Sequence, residues 1–168
     1  AMRAAKYPRS SIIAIDLTPD MIGTAKRRYG EAVIEWRVGD MGATGLPGAS
    51  VDIITGGYAL RNAPDLSATL AELHRVLKPG GCGAFLDFSK PKNHFIQLLE
   101  LFLLKIWGGF WGLVLHGNGE VYGYIAESLR QFPDRDELRR VLTANGFSEI
   151  VGKRFFLGII EVVTFRRR

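Results

Sequence analysis

At 168 residues the chain has the length of one domain, enough for a single core burying roughly two-thirds of the unfolded surface. With 47% hydrophobic and 23% charged residues it is ordinary globular material, which excludes fibrous and disordered classes. The formal charge of +5 gathers partly in Lys26-Arg27-Arg28 and Arg166-Arg167-Arg168, and reads as solvated charge with a basic tail rather than a nucleic-acid surface.

Residues 11–17, with Ile12-Ile13-Ala14-Ile15 ending at Asp16, read as a buried strand. Thr18-Pro19-Asp20 then starts a helix, with Thr18 as N-cap and Pro19 at the first helical position. Met21, Ile22, Ala25 and Tyr29 share one face of it, and Gly30 stops it. VIEWRVGD, 33–40, is a second strand closing on Asp40, and MGATGLPGAS is loop. VDIITGGY, 51–58, is a third strand.

From Asp65 a helix carries Leu66, Leu70, Leu73 and Leu77 on one face, and KPGG at 78–81 ends it. CGAFLDFS, 82–89, is a fourth strand; its Cys82 is the only cysteine, a buried small hydrophobe that implies a reducing compartment. No apolar leader precedes the first strand, so no signal peptide is expected. The apolar stretch 94–116 is long enough to span a bilayer. Glu100 and Lys105 near its middle would each cost about 2.5–3.5 kcal/mol there, and its glycines break the helix. A greasy lid or a surface-dipping helix fits better.

YGYIAESLRQF, 122–132, is helical. Asp134 and Glu137 make a capping-box-like start for the next helix, which Gly146 stops. Two strands near 149–156 and 159–166 close the chain, joined at Leu157-Gly158. Alternating strands and helices ending in a strand pair argue an α/β fold: one mostly parallel sheet with a C-terminal antiparallel pair.

Ligands bind such sheets beyond the carboxyl ends of the strands, where Asp16, Asp40 and Gly56-Gly57-Tyr58 all fall. An acid at one tip can accept both hydroxyls of a ribose, and an acid at the next can accept from an adenine amine. Two glycines at the third tip let a ligand approach the backbone. Equally, a strand-end acid can be a turn former and a glycine pair a tight bend. Neither a GxGxxG loop nor a GKS/GKT loop is present. No metal is expected, since His74, His94 and His116 are scattered. His74, between core leucines, is structural or surface.

Several phrases carry a resemblance. VDIITGGYALRNAPDLSATLAELHRVLKPGGCGAFLDFSKP is similar to the ubiquinone/menaquinone biosynthesis C-methyltransferases of the UbiE/MenG type, which carry phrases close to "F-G-L-R-N-V-x-D", "R-V-L-K-P-G-G" and "L-E-F-S-K-P". YGYIAESLRQFPDRDELRRVLTANGF resembles that family's "Y-x-Y-L-x-E-S-x-R-x-F-P" and the helix after it. The LRN and FSKP phrases are more specific than VLKPGG, which many S-adenosylmethionine methyltransferases share. The likeness covers essentially the whole chain and is weakest from 93 to 121.

The resemblance implies a Rossmann-like class I methyltransferase domain over 1–168, with a helical lid or substrate segment at 93–132. It implies S-adenosylmethionine as cofactor, with Asp16 on the ribose, Met21 near it, and Asp40 and Met41 bracketing the adenine. Gly57 stands where many relatives have serine, which removes one side-chain contact; Tyr58 replaces a usual phenylalanine. Relatives begin with a strand and a D-x-G-x-G-x-G loop, whereas AMRAAKYP resembles the tail of the helix after it. The expectation is therefore a chain lacking the N-terminal first strand.

The implied reaction is methyl transfer to a ring carbon of a polyprenylated quinol, whose neighbouring phenol must lose its proton. Arg61 and Asn62 are the catalytic candidates, Arg61 as phenolate stabiliser or else as a structural ion pair. His116, Tyr122, Tyr124, Glu127 and Arg130 are candidates for the quinol pocket, and Asp87 for a supporting role. The partners implied are the quinol and a membrane surface, with a homodimer open and no nucleic acid. The implied place is the cytoplasm, extending to the inner face of the membrane. Two other classes stay in view: an inactive remnant acting as a scaffold, and a nicotinamide oxidoreductase, disfavoured because its fingerprint loop is missing.

Overall fold

The computed structural model describes residues 10–29, 34–90, 95, 97, 98, 102, 106 and 123–168, with the side chains of 123–126 left aside. Strand β1 (Ile12–Asp16) leads into helix α1 (Pro19–Tyr29) and strand β2 (Ile34–Val38). Strand β3 (Val51–Gly57) is followed by a 3-10 turn (Leu60–Asn62), helix α2 (Leu66–Val76) and strand β4 (Leu77–Phe88). After helices α3 (Gly123–Gln131) and α4 (Arg135–Ala144) come β5 (Phe147–Phe155), a 3-10 turn (Phe156–Gly158) and β6 (Ile160–Arg167).

The helix ends form where short polar side chains satisfy orphan amides. Asp65 accepts from Ala68 N at 2.9 Å and starts α2; Asp134 accepts from Glu137 N at 2.8 Å and starts α4. Gly146 ends α4 with φ of 84°, a conformation that costs glycine little. The core lies where α2 and α4 meet the sheet. Leu70, Leu142, Phe147 and Phe165 are all buried there, and the Phe147 and Phe165 rings sit 4.4 Å apart.

Two sheets result. β1 and β2 pair in parallel, from Ile12 opposite Ile34 to Asp16 opposite Val38. The other four strands run in the order β3-β4-β6-β5, with β3 and β4 parallel and β6 antiparallel to both neighbours. No ladder joins β1 to β3 among the described residues. Among the described residues the first two strands and the other four thus form separate ladders rather than the single sheet expected.

Three other expectations need correcting. Strand β2 ends at Val38, so Asp40 lies in the turn beyond it. On α1, Ile22 is buried and Ala25 half-buried while Met21 and Tyr29 are exposed, so the expected apolar face is covered only along its middle. KPGG follows the end of α2 as expected, but the fourth strand starts at Leu77 rather than 82 and takes KPGG in: Val51 pairs Leu77 and Ile53 pairs Cys82, so the extra residues bulge within the ladder. Lys78 Nζ anchors the bulge to Asp52 at 2.8 Å. The stretch expected to be a lid contributes helical positions at 95, 97, 98, 102 and 106; the rest of 91–122 lies outside the described residues. Among the described residues, no helix is long and apolar enough to cross a membrane.

Gly83 of β4 offers a test of the core. A Cβ there would stand 2.3 Å from the Phe165 ring. Gly83→Ala is expected to destabilise the protein by about 1–3 kcal/mol through overpacking, read as a lower midpoint in urea.

Candidate active site

β1 and β2 run in parallel, so their tips share one end, bridged where Gly39 N donates to Asp16 O at 3.0 Å. The Asp16 carboxylate accepts from Thr18 N at 2.8 Å through Oδ1, fixing its side chain at the start of α1. Asp40 does the same in the next turn, accepting from Gly42 N at 2.7 Å. The chain after Asp40 then packs along α2: a Cβ on Gly42 would meet Thr69 at 3.2 Å, and one on Gly48 would meet the Arg75 carbonyl at 3.6 Å. Because Thr69 lies in the first turn of α2, just after the tip of β3, the turn bearing Asp40 and Met41 is held at the end of the fold where β3 finishes.

Glu72 of α2 clamps this loop. It accepts from Thr44 N at 2.9 Å, from Thr44 Oγ1 at 2.6 Å and from Arg75 Nε at 2.7 Å, while Arg75 also donates to Leu46 O. The Arg75 guanidinium, helped by both Thr44 donors against a burial penalty, lowers the Glu72 pKa to about 2. The Glu72–Arg75 spacing is a recognisable helix pair, but nothing local in sequence announces Thr44 as its partner.

At the third tip the two glycines do different work. A Cβ on Gly56 would lie 2.5 Å from the Phe85 ring, whereas one on Gly57 would meet nothing within 4 Å among the described residues. Tyr58 follows with φ of 55°, a left-handed conformation that a bulky residue holds only under constraint. Its N–H donates to Leu86 O at 2.7 Å, its ring centroid lies 5.3 Å from that of Phe88, and its carbonyl accepts from Asn62 Nδ2 at 3.0 Å.

Arg61 lies beneath this turn with its side chain 2% exposed. Its backbone N and Nε donate to Asp87 at 3.0 and 3.3 Å, its guanidinium to the Ser128 hydroxyl of α3, and its Cζ lies 5.4 Å from the Phe88 ring centroid. Burial pushes the Asp87 carboxyl up, opposed by the Arg61 and Phe88 amides and the Arg61 charge. Of the two readings of Arg61, the structure displays the ion pair. Asn62 caps the Tyr58 carbonyl.

The expected residues fall into three groups. Asp16, Asp40, Met41, Gly57 and Tyr58 lie at the strand-tip end, with Met21 exposed in the first turn of α1. Glu127 and Arg130 are exposed on α3, paired at 4.0 Å, on the side away from Ser128 and the buried Leu129. His116 and Tyr122 lie outside the described residues, as does the side chain of Tyr124. Sequence reasoning missed Ser128 and the Thr44–Glu72 clamp.

The model of the ubiE/COQ5 methyltransferase family matches residues 2–165. The chain belongs to that family. A ubiquinone/menaquinone biosynthesis C-methyltransferase of Desulfotalea psychrophila is 30% identical over 162 residues, 96% of this chain and 66% of that relative. A demethylmenaquinone methyltransferase of Chlamydia caviae is 32% identical over 157 residues, 93% of this chain and 68% of the other. The chain thus spans about two thirds of the length of these ubiE/COQ5 relatives. Among solved structures, an S-adenosylmethionine-dependent methyltransferase from Mesorhizobium loti superposes with a TM-score of 0.66 at 15% identity, over 99% of this chain and 85% of that one. The N-methyltransferase NodS of Bradyrhizobium japonicum, in complex with S-adenosylhomocysteine, gives 0.60 at 17% identity over 99% and 72%. The fold is the Rossmann-like class I methyltransferase fold.

Two substitutions probe this framework. Glu72→Gln is expected to cost about 1–3 kcal/mol at neutral pH. The stability from ionised Glu72 is complete above its unfolded pKa near 4.5 and is lost as pH falls towards about 2, so the variant should lose less over that interval in urea titrations. Arg61→Met should cost about 3–5 kcal/mol by leaving Asp87 buried without its cation, and Asp87→Asn in the same chain should recover part of that.

Proposed function

We propose that this chain performs the S-adenosylmethionine-dependent C-methylation of a polyprenylated quinol ring in quinone biosynthesis. The observation that carries the reading is the match to the ubiE/COQ5 family over 2–165, together with the position of Asp16, Asp40 and Gly57 at the strand-tip end.

The residues present suit the nucleoside half of the cofactor. Asp16 Oδ1 is engaged by Thr18 N, which leaves Oδ2 to accept from the ribose hydroxyls. Asp40, held by Gly42 N, can accept from the adenine amine, with half-buried Met41 against the ring. The open space beside Gly57 admits the cofactor close to the backbone. When bound, S-adenosylmethionine supplies a methyl group from its sulfonium.

The contribution of the chain's own residues is chiefly positional. In-line transfer requires donor and acceptor carbon to be held in near contact, and such positioning supplies several kcal/mol in well-oriented systems. Tyr58 stands at the rim; its backbone is fixed by Leu86 O and Asn62 Nδ2, and its ring packs against that of Phe88. Arg61, paired with Asp87, locks the 3-10 turn that carries Asn62 and ties it to α3 through Ser128. We therefore read Arg61 and Asn62 as positioning residues rather than groups that touch the quinol. The long isoprenoid tail would be served by the apolar segment that begins beyond Lys90.

Calorimetric titration of S-adenosylhomocysteine tests the reading, with Asp16→Ala as control. Saturable binding to the parent, weakened by about tenfold or more in the variant, is expected from losing a charged hydrogen-bond acceptor. A parent chain that takes up no S-adenosylhomocysteine would overturn it. Where binding is seen, turnover of a demethylquinol follows as the direct assay.

A further inference from the structure

The turn between β5 and β6 combines three features that a simple connection does not need. Phe156 and Leu157 are 75% and 86% exposed, among the most exposed apolar side chains described. Both adopt positive φ, 51° and 58°, where a strand connection ordinarily takes glycine or asparagine. The turn is also firmly held: Ile159 N donates to Phe156 O at 3.1 Å, Ser89 N donates to Ile159 O at 2.8 Å, and Phe155 pairs with Ile160. Single exposed apolar residues are common, but two in succession, kept in a disfavoured conformation by a rigid base, are a constraint the fold maintains.

The direction of this turn follows from topology. β4 and β5 are both antiparallel to β6, so they run the same way, and the tip of β5 lies at the end where β3 and β4 finish. Phe156 and Leu157 therefore project from the end of the sheet that carries the candidate active site. Cations are linked to the strand residues leading into the turn. Exposed Lys153 has its Nζ 5.4 Å from the Phe155 ring centroid, Arg154 donates to Lys90 O, and Lys90 Nζ donates to the carbonyl of exposed Arg130. Of the acids nearby, Glu161 is buried against Arg135 and Arg154, Glu127 pairs with Arg130, and exposed Asp134, the N-cap of α4, feels the charge of Lys90. The helical positions Phe95, Leu98, Phe102 and Ile106, at spacings of three, four and four, form a second exposed apolar stripe in the segment that begins after Lys90.

We propose that the Phe156-Leu157 turn is a membrane wedge, which inserts two apolar side chains into an anionic lipid surface while Lys153, Lys90 and Arg130 meet the headgroups. The proposal rests on the reading of the substrate as a quinol dissolved in the bilayer. A protein drawing such a substrate needs its strand-tip end at the lipid surface. Rigid apolar side chains with flanking cations meet both requirements of interfacial binding, apolar burial and attraction to anionic headgroups.

The test is partition of the full chain onto phosphatidylcholine vesicles with and without phosphatidylglycerol, compared with Phe156→Asn/Leu157→Asn. Asparagine tolerates positive φ, so the double variant should keep or raise its thermal stability. Its partition onto anionic vesicles should fall by about tenfold or more through lost apolar burial, and Lys153→Glu should weaken partition onto the anionic vesicles only. Affinity for S-adenosylhomocysteine should be unchanged in both. Equal partition of parent and double variant, or no partition by the parent, would overturn the proposal. So would concentration-dependent self-association, seen by light scattering without lipid and lost in the double variant, because the turn would then be covered by a second copy. Failure of the parent to bind S-adenosylhomocysteine would tell against the methyltransferase reading, independently of the vesicle result.

Discussion

Two carboxylates face each other across the middle of the sheet. Asp87 of β4 and Glu161 of β6 are register partners, so they lie on the same face, and both are buried. Like charges in directly opposed strand positions repel, and each acid also loses water. The surrounding structure offsets this with arginines drawn from three separate elements. Arg61 from the 3-10 turn takes Asp87; Arg135 from α4 and Arg154 from β5 take Glu161, with Ser89 donating at 2.8 Å. Gly152 is part of the same arrangement, because a Cβ there would lie 2.0 Å from Glu161 Oε1.

This buried network links the interior to the rim. Breaking it would leave an uncompensated charge, which is far more costly than losing an exposed pair. Arg61 cannot move without disturbing Asp87, and the turn holding Tyr58 cannot move without Arg61. The chain from Glu161 through Ser89 to the backbone of Ile159 reaches the β5–β6 turn as well. Electrostatics inside the sheet thus determine where two surface features stand. The clamp on the Asp40 loop is independent, being built from Glu72 and Arg75 on the far side of α2 from the core leucines.

The parts of the fold legible in sequence were those with local causes. Leu66, Leu70 and Leu73 recur at helical spacing, Asp65 and Asp134 sit where caps are needed, and Gly146 supplies a left-handed stop. Less legible were features decided by partners far along the chain. KPGG has the local character of a break, yet pairing with β3 and the Lys78–Asp52 contact draw it into a strand. From sequence Arg61 stays open between a phenolate stabiliser and a structural ion pair, because the partners that it meets are 26 and 67 residues away. The Asp16 and Asp40 positions could be read early because strand ends of parallel sheets gather at one edge whatever the details of packing. The position of Met21 and Tyr29 could not, since a helical face records which residues align and not what covers them.

Gly56 and Gly57 are indistinguishable as letters and opposite as sites. The first is occupied from outside by the Phe85 ring, so no larger residue fits without displacing an aromatic of the core. The second meets no neighbour among the described residues, and its backbone does not require glycine. Position 57 is therefore a vacancy for chemical variation: a side chain can be added there by substitution alone while the scaffold beneath stays as it is. A change of side chain at this strand tip can thus be made without renegotiating the fold.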